Sequence, residues 1–215
     1  MDATPPPIPR HRADEPPPKK KSSALKIVLI VLACLVGGVL LLLGLGAVFL
    51  WLEKELPVTE ADKEVLLTAS VLGEFIEDFQ VQAEGETFRK IKDIDGSHGL
   101  EYSYEDEGLH IYGHVRLERS LSDAKTMYVI EREAEELSID LIDLEMSVRN
   151  DLLRFGDDSQ AALLTWDGEP NGNFFCCRKG KHVFCAGWSG LAIEDAEMFE
   201  QAVKPVLLRW MRWQP

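Results

Sequence analysis

Three kinds of hydrophobic patterning follow one another along this chain. Residues 27–52 are apolar without interruption and hold no charged side chain. Between residues 59 and 117 apolar positions recur first at helical spacing and then with a period of two. From Ala161 onward short, nearly solid apolar runs are separated by turn-forming pairs. Each pattern predicts a different kind of element.

The first predicts a transmembrane helix over residues 26–53. A helix rises ~1.5 Å per residue and needs about 20 apolar residues to cross a ~30 Å hydrocarbon core, so the run can span with tilt to spare. A cleaved signal peptide has an apolar region of only about 7–15 residues. Val31-Leu32-Ala33-Cys34 has the look of a lipoprotein box, but the sequence stays apolar after it where a lipoprotein turns polar. Within the span Ala33, Gly37, Gly44 and Ala47 fall on one helical face, and such small-residue stripes let two helices approach closely. The span therefore predicts the lipid bilayer as a partner and a homodimer formed through this face.

The second pattern begins at Thr59-Glu60-Ala61-Asp62, a cap residue followed by acids, as at a helix N-terminus. Val65, Ala69, Leu72, Ile76 and Phe79 continue it, with a break near Thr68 to Ser70. A strand is expected over Phe88 to Ile94. The alternation in Leu100–Tyr104 and Leu109–Leu117 then predicts a hairpin buried on one face. A tight turn at Glu107-Gly108 pairs Tyr104 with Ile111, Tyr102 with Gly113 and Leu100 with Val115. It also sets Glu105 against His110 and Glu101 against His114 on the other face. Ser120 to Asp123 reads as the cap of a helix carrying Ala124, Met127, Tyr128 and Ala134 inward; residues 137–149 fit neither period and read as a connection.

The third pattern comprises Ala161–Trp166, Phe174–Cys177 and His182–Ala186, strands covered on both faces, with turns at Asp167-Gly168, Asn171-Gly172 and Lys179-Gly180. The chain closes with a helical stretch, Ile193 to Trp213, that Pro205 should kink or restart. Together these predict an α+β domain over residues 54–215, with a twisted antiparallel sheet packed against helices.

Charge adds an orientation. Residues 1–26 hold six Lys/Arg against three acids, and the remaining 17 Lys/Arg and 34 Asp/Glu all follow the apolar run. Lys and Arg close to a span mark its cytoplasmic side, so the tail is expected in the cytoplasm and the C-terminal domain outside it, periplasmic in a bacterium. Residues 1–25 are Pro-rich, lack an apolar period and are expected to be disordered. The acidity of the outer domain disfavours nucleic acid and points to a protein partner.

Candidate chemistry is sparse. His110 and His114 share a strand face ~13 Å apart, too far to chelate one ion. With Glu101 and Glu105 opposite them they predict a pH-responsive surface, because a carboxylate neighbour raises an imidazole pKa. Cys176 and Cys177 point to opposite faces. A turn at Lys179-Gly180 sets Cys176 opposite Val183, leaving Cys185 only diagonal to it, so buried thiols are expected over a disulfide or a metal site. Gly187-Trp188-Ser189-Gly190-Leu191 departs from a nucleophile elbow at its last position. Asp93-Ile94-Asp95-Gly96 cannot be aligned with a calcium loop, since that places Ile91 and Tyr102 at ligand positions. No cofactor is expected. The sequence thus predicts a membrane-tethered, non-catalytic interaction or sensory module. The alternative is an enzyme or redox accessory built from scattered residues, for which His182, Cys177 and Ser189 are the positions to test.

Overall fold

A computed structural model of the chain describes residues 54–76, 80–106, 108–141 and 144–215, all within the folding unit Leu50–Pro215. The expected span, its Ala33, Gly37, Gly44 and Ala47 face and the Pro-rich tail lie outside them. Among the described residues no helix is long and apolar enough to cross a membrane.

In chain order the elements are β1 (Lys54–Leu56), α1 (Glu60–Lys63), α2 (Ala69–Gly73), β2 (Glu86–Lys92), β3 (His98–Glu105), β4 (His110–Leu117), α3 (Leu121–Leu141), β5 (Glu145–Val148), β6 (Asp158–Trp166), β7 (Glu169–Lys179), β8 (His182–Ser189) and α4 (Ala196–Trp210). The strands form one antiparallel sheet in the order β1-β2-β3-β4-β8-β7-β6-β5. It is two four-stranded meanders joined where β4 pairs with β8, so each half ends in a short edge strand. An α+β domain built on an antiparallel sheet is what the patterning predicts.

One face carries the larger core. Leu100, Tyr102 and Tyr104 of β3, Ile111 and Val115 of β4, Phe175 of β7 and Phe184 and Trp188 of β8 lie under α1, α2 and α4. Phe199 of α4 stacks on Trp188 and meets Phe175 edge-on, with ring centroids 5.7 Å and 6.1 Å apart. Trp188, Trp210 and Trp213 are all buried. Pro205 does not break α4: it and Gln201, whose carbonyl loses its partner, both lie on the exposed side, where solvent can replace the missing bond.

A buried polar knot fastens this layer. Thr59 caps α1 in a reciprocal capping box with Asp62. The Asp62 carboxylate also accepts from Lys90 Nζ at 2.9 and 3.0 Å and from Trp213 Nε1 at 2.9 Å. The domain's first helix, its second strand and its C-terminus thus converge on one carboxylate. Burial alone would raise its pKa, but the bonds from Trp213, Lys90 and Thr59 outweigh it and hold the group at about 2.

The β3–β4 register is the predicted one throughout. Elsewhere the sheet corrects the reading. Gly172 is not in a turn: it sits inside β7, and a Cβ there would lie 2.0 Å from the Trp188 carbonyl of β8, so glycine is required by close strand approach. The β7–β8 hairpin turns at Gly180-Lys181, with Lys179 opposite His182. Moving a turn by one residue moves every partner by two, which puts Cys176 directly opposite Cys185. The two are joined by a disulfide, Cα atoms 4.0 Å apart. Residues 137–141, read as a connection, continue α3, and β5 follows them.

Candidate functional site

The described residues cover only half of the second face of the sheet. The side of α3 turned toward the sheet follows the helical repeat Ala124, Tyr128, Glu131, Glu135, Ile139. Its first half is apolar and packs with the Cys176–Cys185 disulfide, Phe174 and Val183. Its second half puts carboxylates where the same phase calls for core residues. Ala134, expected inward, is exposed. Beyond this helix the matching face of β2 to β4 carries Thr87, Ser103 and Tyr112, and a groove of about 940 Å³ runs between them and α3.

The charge on this groove is one-sided. Glu84, Glu105, Glu131 and Glu135 line it, and among the described residues no lysine or arginine does. The nearest cations are engaged elsewhere: Arg116 with Asp93 and Glu118, Arg132 with Glu133 and Glu136. Burial first, and the neighbouring Glu131 second, push the Glu135 carboxyl up to about 7. Burial likewise raises Glu131, against the pull of Arg116. Tyr112 is pushed up to about 12 by burial and by the fields of Glu101, Glu135 and Glu131.

Beneath Glu131 sits His114, only 4% exposed. Its Nε2 is 3.3 Å from Glu131 Oε2, but the alignment is not that of a hydrogen bond, and neither ring nitrogen has a partner among the described residues. Burial, with Arg116 adding to it, pushes the imidazole down to about 3. His114 is therefore neutral near pH 7. This corrects the expectation of a histidine on a solvated surface, titrating upward beside Glu101: the imidazole is buried, and desolvation lowers its pKa.

The other three residues of that surface are placed differently. His110 and Glu105 are exposed at the rim of the groove. Glu101 is half-buried and lies 3.6 Å from Arg89. The register does bring Glu105, His110 and Ser189 into a row across β3, β4 and β8, but no hydrogen bond joins them. Cys177 faces Phe184 instead of His182, and burial pushes its thiol up, away from the reactive thiolate. Among the described residues no group of three or more His, Cys, Asp or Glu could hold a metal ion.

Glu131 and Glu135 escaped the sequence reading. The signal was present: continuing the phase of Ala124 and Tyr128 lands on both before reaching Ile139. No family model, no curated protein and no solved structure matches the chain, so the reading of the groove rests on its own residues.

Proposed function

We propose that this chain is a single-pass membrane protein whose C-terminal domain is a non-catalytic binding module outside the cytoplasm, taking a basic segment of a partner protein in the groove beside α3. The observation that carries this reading is a sheet face half covered by the described residues, lined by Glu84, Glu105, Glu131 and Glu135 and, among the described residues, by no lysine or arginine. A surface so charged attracts and orients basic partners. The apolar run of residues 27–52 and the excess of Lys and Arg before it support the tether and its orientation. The Cys176–Cys185 disulfide supports an oxidising compartment for the domain.

The test is site-specific photocrosslinking in native membranes, with the reactive residue at Ser103 in the groove or at Leu208 on the exposed side of α4. Adducts to basic segments of one partner, formed from Ser103 and not from Leu208, are the expected result. Equal crosslinking from both positions, or none from Ser103, would remove the groove as the binding surface.

A further inference from the structure

The groove has an inner end whose chemistry is more specific than its overall charge. Glu131 and Glu135 stand one helical turn apart on the sheet-facing side of α3. Opposite them Tyr112 projects from β4, 43% exposed. The floor between is Gly187: a Cβ built there would meet only the Phe174 ring at 3.8 Å and Glu135 Oε2 at 4.0 Å, so the position is open. Two carboxylates and an aromatic ring thus line a space to which no lysine or arginine among the described residues contributes.

The second observation is His114. A buried imidazole with both nitrogens unpartnered is costly, since buried polar groups are almost always hydrogen-bonded. Its Nε2 lies 3.3 Å from Glu131, one of the two groove carboxylates, without the alignment of a hydrogen bond. Once Glu131 ionises, its carboxylate can accept from His114 Nε2–H and still present its other oxygen to the groove. The site is therefore short of positive charge, and a cationic donor entering the groove favours the ionised Glu131 that His114 can meet.

We propose that the inner end of the groove is a pocket for the primary ammonium group of a partner lysine side chain, with Glu131 and Glu135 as its counter-ions and the ring of Tyr112 against its stem. An ammonium presents three donors at a point charge and so can reach two carboxylates that do not lie in one plane. Its four-carbon stem suits an aromatic wall, which also attracts the charge. This proposal rests on the groove being the binding surface.

The experiment uses the full chain in nanodiscs of zwitterionic lipid, titrated with pentalysine by calorimetry at low salt and pH 8. Saturable binding is expected, at least tenfold weaker in Glu131→Gln and in Glu135→Gln and unchanged in Glu197→Gln on α4. Lysine-acetylated peptide should not bind. Tyr112→Phe should keep the affinity and Tyr112→Ser lose several-fold. Unfolding midpoints of the variants, measured in parallel, separate lost affinity from lost fold. Absence of saturable binding, equal affinity of the folded Gln variants and the wild type, or equal binding of the acetylated peptide would overturn the pocket. A partner that crosslinks from Ser103 yet ignores both Gln substitutions would end the lysine pocket and leave the groove reading intact.

Discussion

His114 Nε2 and Glu131 Oε2 lie 3.3 Å apart beneath α3, a neutral imidazole against a carboxyl whose pKa is raised. For His114 the sign of the linkage is definite. The unfolded chain takes up a proton near pH 6.5, whereas the native imidazole, pushed down to about 3, does not. The unfolded state therefore binds more protons between those values, and this residue's contribution to stability is lost as pH falls through that window. Glu131 and Glu135 act in the opposite sense, and Glu101, Arg116 and Glu118 also bear on the pair, so the wild type alone does not isolate the effect. The difference between wild type and His114→Leu does. Denaturant unfolding is expected to show the variant gaining on the order of 2 kcal/mol relative to wild type between pH 7 and pH 4.5. A constant difference across that range would mean that His114 is protonated in the native domain.

Binding in the groove should also strengthen with pH, through a different group. With Glu135 raised to about 7 by burial and by Glu131, a cation that requires the ionised carboxylate must displace its proton. Pentalysine affinity is then expected to rise with pH from 5 to 8 and level off above, and the slope should shrink in Glu135→Gln. The titratable groups that line the groove with this carboxyl are Glu131 on α3, Tyr112 and His110 on β4, Tyr104 and Glu105 on β3, and Glu84 before β2. His110 stands at the rim of the groove, so the comparison is made in a His110→Gln background. A slope that disappears with His110→Gln alone would assign the effect to the rim.

Asp62 makes a different prediction, because its carboxylate is structural. Asp62→Asn leaves the Lys90 ammonium buried without its counter-ion, a change that costs about 3–5 kcal/mol in comparable pairs. Trp213→Phe removes one hydrogen bond to a charged group, and its cost should be about 1.5–3 kcal/mol. With the native pKa at about 2 against 3.8 for an ordinary aspartate, the contribution is present above pH 3.8 and lost as pH falls through 2. Equal stability of Asp62→Asn and wild type in urea at pH 7 would contradict this account of the knot.

How much of this was legible beforehand depended on whether the deciding information was local. The faces of β3 and β4 were readable because alternation fixes which side chains lie together, and the turn at Glu107-Gly108 then chose among registers two residues apart that keep the same faces. The β7–β8 register was not, because both strands are apolar on both faces and a shift of two residues leaves the pattern unchanged; the disulfide was lost with it. Residues 137–141 read as a connection because the sheet-facing stripe of α3 changes from Ala124 and Tyr128 to Glu131 and Glu135, which hides its period. His114 was placed on its face correctly, but its burial depends on a helix packing over that face from another part of the chain. The groove arises from the same long-range fact.

The row Glu105, His110 and Ser189 gives the enzymatic alternative its sharpest test. The three are cross-strand neighbours on the groove face, in the sequence acid, base, hydroxyl. A working relay holds its nucleophile and base within hydrogen-bond reach, and here His110 is exposed with no such bond. A fluorophosphonate probe is expected to leave Ser189 unlabelled in the full-length protein. Labelling lost in both Ser189→Ala and His110→Gln would move the function to acyl transfer and displace the binding-module reading.

The Cys176–Cys185 bridge ties fold and compartment together. It closes a loop with a sequence separation of 9, for which restriction of the unfolded chain is worth about 2–3 kcal/mol. Cys176→Ala/Cys185→Ala should lower stability by that amount, and the loss should exceed the difference between reduced wild type and the double variant. Of the four cysteines, Cys34 and Cys177 remain outside the bridge. Protein taken from its native membrane, alkylated in denaturant without reductant, is expected to show two reactive thiols, rising to four after reduction. Four thiols before reduction would place the domain in a reducing compartment. The orientation argued from Arg10, Arg12 and Lys19 to Lys21 would then be reversed, because a domain held in the cytoplasm keeps its thiols free.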